Sequence, residues 1–293
     1  MTASEAATED AVLFACEGDH LLGIVSRPPA NTGAATTGAV IVVGGPQYRI
    51  GSHRQFVQWA RALAAAGTPT LRFDVRGMGD STGELRRFTD LAADVEAAIQ
   101  ALQSTCPTVR RIVLCGLCDG ASAALLYMHE HRDPRVCGLV LLNPWARTEQ
   151  SQSRALVKHY YLERLSSRAF WAKLLRGQVA REALRDLIGH LREAGRAKAP
   201  ANASLTYQVR MAAALGALPG PVLLLLSADD LTAKEFLEQA AVNAAWSGIL
   251  QRRGLQRIDL HGADHTVSTT AHRLQLEAAC VAWFAQLDAV ATP

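Results

Sequence analysis

The chain has 293 residues, 49% of them hydrophobic and 19% charged, with a formal net charge of +3. That is the profile of a globule long enough to bury a sizeable core, as one large α/β domain or two modest ones. The charge is too small to imply a nucleic-acid partner by itself, and no run of about 18 apolar residues argues for a membrane span.

The first ten residues, MTASEAATED, are small and acidic, without the basic and apolar regions of a secretory signal or transit peptide. They read as a disordered tail over 1–10 on a cytoplasmic protein. Two apolar runs, 11–16 and 21–25, flank Glu17-Gly18-Asp19 and predict a hairpin. The rhythm then changes. GAVIVV at 38–43, PTLRFD at 69–74, the segment 112–115 and the segment 138–142 are β-rich runs, separated by helical patterns at 55–65, 91–102 and 121–129. Strands that are nearly continuous in apolar residues, alternating with helices, predict a mostly parallel sheet covered on both faces.

From Asn143 the alternation stops for about 75 residues of basic, helix-forming sequence, and a strand returns at 219–226. This stretch reads as a helical cap over 145–215, inserted after the sixth strand into a core of 11–144 and 216–293. Between Arg147 and Lys198 there are 12 Lys/Arg against 5 acids, an excess of seven that leaves the remainder at −4. Such an excess is ordinarily a solvated helical face. If it steers substrate, it favours anionic acyl donors such as coenzyme A thioesters or an acidic acyl-carrier protein. The core resumes with a helix over 234–250, a strand at 257–260 and a terminal helix over 270–287.

The six cysteines (Cys16, Cys106, Cys115, Cys118, Cys137 and Cys280) lie mostly in apolar segments of a chain without a signal peptide, which favours buried thiols over a disulfide framework. Cys118 differs. Gly116-Leu117-Cys118-Asp119-Gly120 stands where a strand runs into a helix, and it matches the nucleophile elbow G-x-S-x-G with sulfur in place of the hydroxyl. At the start of a helix the partial positive charge of the N-terminus stabilises a thiolate. A nucleophile needs a base and the base an orienting acid, and both follow later strands: Ser227-Ala-Asp-Asp-Leu-Thr232 offers Asp229 or Asp230, and Gly262-Ala-Asp-His-Thr-Val267 offers His265. Cys115 and Cys118 also form a Cys-x-x-Cys, so a dithiol oxidoreductase is a competing reading, but it leaves the aspartate and histidine loops without a purpose. Beyond Cys115 and Cys118 no second Cys or His pair has metal-ligand spacing, and no cofactor is implied.

Two further marks lie upstream, GGPQYRIGSHRQF at 44–56 and DVRGMGDSTG at 74–83. With these, the chain resembles the α/β-hydrolase superfamily from about residue 12 to its end, DVRGMGDSTG looking like the D-x-R-G-x-G-x-S loop and GADHTVS like the histidine loop. The combination of GGPQYRIGSHRQF, CGLCDGASAALLY, LLLLSADDLTAKEF and GADHTVS is similar to the exosortase A-associated hydrolase 1 group, a resemblance that implies a bacterial setting near exopolysaccharide or protein-sorting genes. Its loop ending D-L-T favours Asp230 as the acid. The resemblance also implies an oxyanion hole built from the backbone N–H of Asp119 and one from the loop after the third strand. There the usual donor position falls on Pro46, which has no N–H, so the expectation moves to Gln47. Asp74, Arg76 and Ser81 are expected to shape a turn, and Tyr48, Arg49 and His53 to line the pocket or cap a helix. The activity expected is a cysteine-dependent acyl hydrolase or acyltransferase acting on a small-molecule or carrier-bound acyl substrate. A non-catalytic acyl- or polymer-binding homologue is the alternative.

Overall fold

The computed structural model describes residues 7–45, 47–147 and 206–291. The chain divides into two compact units, Met1–Trp145 with Thr206–Pro293, and Ala146–Leu205. The expected cap and its basic excess lie almost wholly outside the described residues.

Eight strands form one sheet in the first unit: β1 (Thr8–Cys16), β2 (Asp19–Arg27), β3 (Thr37–Val42), β4 (Thr70–Phe73), β5 (Arg111–Leu117), β6 (Val136–Leu142), β7 (Val222–Ser227) and β8 (Leu255–Leu260). Their spatial order is β1-β2-β4-β3-β5-β6-β7-β8. β1 and β2 form an antiparallel hairpin, β2 is antiparallel to β4, and all later pairs are parallel. The parallel strands carry no polar face: every residue of β3, β4 and β7 is buried, as expected where helices cover both sides of a sheet.

One layer is formed by α1 (Gln55–Ala65) and α6 (Thr270–Ala291). Phe56, Trp59 and Leu63 meet Trp283, Phe284 and Leu287 over the inward-pointing Ile41, Val113, Cys115 and Val140. The period-two alternation sends the intervening strand residues to the opposite face, where α2 (Ala92–Thr105), α3 (Asp119–His131) and α4 (Tyr207–Ala217) pack. α5 (Leu231–Val242) follows β7.

Three boundaries differ from those expected. The tail expected over 1–10 is cut short, because β1 starts at Thr8 and pairs with Arg27. Glu9 accepts hydrogen bonds from Arg61, Arg72 and Ser26, partners far along the chain that no local pattern reveals. Residues 207–215, expected to belong to a cap, lie in α4, which packs on α3 and belongs to the first unit. The helix expected over 234–250 is α5 and stops at Val242. Beyond it Asn243 takes extended angles and caps a short 3-10 turn by accepting the N–H of Ala245, and Gly248 then adopts a left-handed conformation.

Candidate active site

β5 runs into α3 through a single residue, Cys118, whose backbone is held at φ 55°, ψ −120°. Such a conformation costs on the order of 1–3 kcal/mol in a non-glycine residue and persists only where its surroundings enforce it. The enforcement is steric. A Cβ on Gly116 would stand 2.4 Å from the N of Ala121, one on Gly120 would stand 2.1 Å from the carbonyl O of Val42, and one on Gly44 would stand 2.1 Å from the N of Gly120. Three backbone segments therefore cross in contact, and glycine at each crossing lets the turn be tight enough to present the half-buried thiol at the carboxyl end of the sheet.

Asp230 lies just past the end of β7 and is nearly buried. It is the N-cap of α5, where its carboxylate accepts the N–H groups of Thr232 at 3.0 Å and Ala233 at 3.2 Å. The same Oδ2 that takes Ala233 stands 2.7 Å from Nδ1 of His265. A carboxylate only accepts, so this contact assigns the proton to Nδ1 and leaves Nε2 as the basic nitrogen. Asp229, the rival acid, is exposed and engages the histidine loop only through its backbone N–H, which donates to the carbonyl of Ala263. The loop that carries His265 is itself braced. Asp264 accepts both the N–H and the hydroxyl of Ser268, and Val267 sits buried at φ 53°, an uncommon conformation for a β-branched residue.

Asn143, which in the sequence marks only the end of the sixth strand, joins these loops. It is fully buried at φ 46°. Its amide donates to Ser227 Oγ at 3.0 Å and to the carbonyl of His265 at 3.2 Å, while its Oδ1 accepts the N–H of Ser227 at 2.8 Å. One residue earlier, the carbonyl of Leu142 accepts the N–H of Cys118 at 2.9 Å; two residues later, Trp145 N–H donates to the carbonyl of Cys118 at 3.3 Å. The segment 142–145 is thus bonded to the main chain of both Cys118 and His265, and this brings the elbow and the histidine loop to the same end of the sheet. The signal for Asn143 in the sequence is its place after a strand, where asparagine tolerates left-handed angles better than most residues.

The loop after β3 departs from expectation. The N–H of Gln47, expected to face an oxyanion, donates to the carbonyl of Gly45 at 2.8 Å, closing a tight turn. Its side-chain oxygen accepts from Ser52 N–H at 3.1 Å and from Gln55 at 3.3 Å. The neighbouring Gly45 N–H is taken by the carboxylate of Asp119. Asp119 itself opens α3, where the first N–H groups of a helix have no intrahelical acceptor.

The loop 74–83 is a brace for this region. Buried Asp74 accepts from the Arg49 N–H at 2.6 Å, the Arg49 guanidinium and the Asp80 N–H at 3.0 Å, and Ser81 Oγ bridges the Asp74 carbonyl and the Leu22 N–H. Arg76 is pinned by Asp94 and Glu17. Arg49 packs over exposed Tyr48, and His53 and Arg54 are exposed in left-handed conformations just before α1.

Cys115 points into the core with no exposed surface, and burial, aided by the charge of nearby Cys280, pushes its thiol well above the usual range. A thiol in that setting is a poor resolving partner, so the geometry speaks against the dithiol reading. Among the described residues no group of three His, Cys, Asp or Glu could hold a metal ion, and no helix is long and apolar enough to cross a membrane.

A mostly parallel eight-stranded sheet, an elbow after β5, an acid after β7 and a histidine after β8 define an α/β hydrolase. The chain belongs to the family described as serine aminopeptidase, S33, whose profile matches residues 35–247. Its elbow carries cysteine where that description names serine.

Solved structures agree on the fold. An esterase of Pyrococcus furiosus is 17% identical with a TM-score of 0.63, covering 96% of this chain and 91% of its own. The Butyrivibrio proteoclasticus protein Est1E, determined with ferulic acid bound, is 17% identical with a TM-score of 0.62, covering 95% and 100%. A Xanthomonas campestris serine hydrolase described as lacking a lid is 14% identical with a TM-score of 0.54, covering 92% and 91%. Among curated proteins no significant match was found.

Proposed function

We infer that the protein is a cysteine-dependent acyl hydrolase or acyltransferase that acts on an ester or thioester through an acyl-Cys118 intermediate. The observation that carries this reading is the strained turn at Cys118, tied through the segment 142–145 to a histidine loop whose imidazole is held by Asp230 at 2.7 Å. Asp230 orients His265 and offsets the charge of the imidazolium as Nε2 takes the thiol proton. The sulfur attacks the acyl carbon, and the leaving alcohol or thiol takes the proton back from His265. Water or a second nucleophile, deprotonated by the same ring, then releases the acyl group. The backbone N–H of Asp119 is the oxyanion donor, and Gln47 joins it once its turn onto Gly45 opens. A thioester on Cys118 is attacked readily by amines and thiols, so transfer competes with hydrolysis.

The similarity of the four motifs to the exosortase A-associated hydrolase 1 group supports a bacterial, cytoplasmic role of this kind. An acyl-carrier protein is a candidate donor for the basic segment 147–198. The test is intact-mass spectrometry after incubation with a panel of acyl esters and thioesters. The expected result is a single acyl adduct on Cys118, absent in Cys118→Ala; no adduct across the panel would refute the reading. The engaged N–H groups of Gly45 and Gln47 favour one rival, a binding protein that keeps the fold without the chemistry. A Cys118→Ala variant with full cellular function would support that rival.

A further inference from the structure

The two edges of the sheet are finished differently. β8, at one edge, is six residues long and exposes Gln256, Arg257 and Asp259, the last two as an ion pair. Charges of that kind keep an edge strand from pairing with another chain. β1, at the other edge, is nine residues long, pairs with β2 in an unbroken register and contains no lysine, arginine or proline. Its two carboxylates are engaged inside the molecule, Glu9 with Arg61 and Arg72 and Asp10 with Arg27. The main chain of β2 shows which groups of β1 face outward. The carbonyls of His20 and Leu22 accept the N–H groups of Thr82 and Asp74, and the Leu22 N–H donates to Ser81, so both residues turn their main chain away from β1. Their cross-strand partners Ala15 and Leu13 therefore direct N–H and C=O to the open edge, and by the alternation of an antiparallel ladder Ala11 and Glu9 do the same. Among the described residues nothing bonds to these groups on Ala11, Leu13 or Ala15. Their side chains are exposed as well: Ala11, Leu13, at 66% exposure, and Ala15 share one face with half-buried Leu22 and Ile24.

We propose that β1 is a self-association edge, and that its occupant is the β1 strand of a second copy of this chain, paired antiparallel about a two-fold axis at Val12. The inference goes beyond the acyl-transfer reading and does not depend on it. With the axis at Val12 all nine residues of the strand pair. Leu13 faces the partner's Ala11, Phe14 the partner's Asp10 and Ala15 the partner's Glu9, so no charge meets its like. The same register sets odd residues opposite odd residues, which is where the outward N–H and C=O groups lie. Moving the axis to Leu13 puts Glu9 opposite the partner's Glu17, and moving it to Ala11 puts Leu13 opposite the partner's Glu9. A two-fold axis normal to the sheet keeps Ala11, Leu13 and Ala15 of both copies on one face, where they withdraw one another from water. β1 runs parallel to β4, because each is antiparallel to β2. The partner's strands therefore run the opposite way, and the two Cys118 thiols stand at opposite ends of the joint sheet.

The test is sedimentation velocity on the full chain from about 1 to 100 μM. A nine-residue seam is at the small end of specific interfaces, so a monomer–dimer equilibrium with a dissociation constant of about 10 μM is expected. Leu13→Lys should weaken the dimer at least about 100-fold, since each dimer loses two covered leucines and gains an edge charge. Because residue 13 is exposed in the single chain, this variant should keep the thermal midpoint of the monomer and its rate of Cys118 alkylation by iodoacetamide. The register has its own readout. In a non-hydrogen-bonded pair the two copies of residue 12 stand about 4.5 Å apart at Cα, within reach of a disulfide, so Val12→Cys should cross-link into a dimer under glutathione disulfide. Leu13→Cys, with its copies about 8–9 Å apart, should not. A monomer throughout the concentration range, or a dimer that Leu13→Lys leaves intact, overturns the proposal. Cross-linking through Leu13→Cys but not Val12→Cys overturns the axis at Val12. A dimer that forms only after removal of residues 1–6, or a monomer whose β1 takes up a strand of another protein, assigns the edge to a different occupant and overturns self-pairing.

Discussion

Replacing Asn143 with alanine tests whether the segment 142–145 organises the site. The substitution removes two donated hydrogen bonds and leaves the fully buried Ser227 N–H and the His265 carbonyl without that partner. Each lost bond is worth about 1 kcal/mol and an orphaned buried group about 1–3 kcal/mol. Alanine at φ 46° adds about 1 kcal/mol of backbone strain. The expected loss is about 3–6 kcal/mol, a large share of the ~5–15 kcal/mol that holds a typical domain together. Asn143→Gly accepts the left-handed angles and should recover about 1 kcal/mol of this, which separates the backbone contribution from the side-chain bonds. Urea denaturation gives the stabilities, and the pH dependence of Cys118 alkylation by iodoacetamide gives the state of the thiol–imidazole pair. Because Asn143 holds the main chain of His265, alkylation near neutral pH should slow in both variants under conditions where they remain folded. An Asn143→Ala protein within about 0.5 kcal/mol of wild type, with an unaltered alkylation profile, would refute the reasoning.

Asp230→Asn leaves one accepting oxygen where Oδ1 and Oδ2 now take the Thr232 and Ala233 N–H groups separately, and it cannot hold the Nδ1–H tautomer as a carboxylate does; kcat/KM should fall by roughly a thousandfold or more, and urea denaturation should show a loss of about 1–2 kcal/mol for the N–H left without its acceptor. Gly44→Ala forces a Cβ to within 2.1 Å of the Gly120 backbone, and thermal unfolding should show a loss of at least about 2 kcal/mol. Burial works against ionisation of Glu9, but hydrogen bonds from Arg61 and Arg72 prevail and lower it from 4.5 to about 2. Its folded pKa lies below its unfolded value, so the stability it adds is present above about pH 4.5 and is lost as pH falls towards 2. Acid titration of Glu9→Gln should show a shallower decline over that interval. Iodoacetamide near neutral pH should modify Cys118 and spare Cys115, as peptide mapping would show.

The alternation of β-rich runs and helical periods announces the layered sheet because buried parallel strands have no polar face to confuse the pattern; the helical period at 55–65 coincides with α1. The elbow, the aspartate and the histidine are legible because each follows a strand and combines residue types that such a turn needs. Asn143 is not, since its role depends on bonds to residues 84 and 122 positions away. Nor is the fate of the loop after β3. The sequence shows that Pro46 lacks an N–H, but only coordinates show that Gln47 turns back on Gly45 and that the Asp119 side chain claims the remaining N–H. The early start of β1 is hidden because its polar residues are matched by distant arginines rather than by a local apolar pattern.

Cys118 is tied to Leu142 through its N–H and to Trp145 through its carbonyl, and Ser122 Oγ donates to the Trp145 carbonyl at 2.7 Å. Chain up to Trp145 is therefore anchored at three points. A replacement of 148–205 that keeps 142–147 intact should preserve thiol reactivity, whereas moving the splice back to remove Trp145 should abolish it.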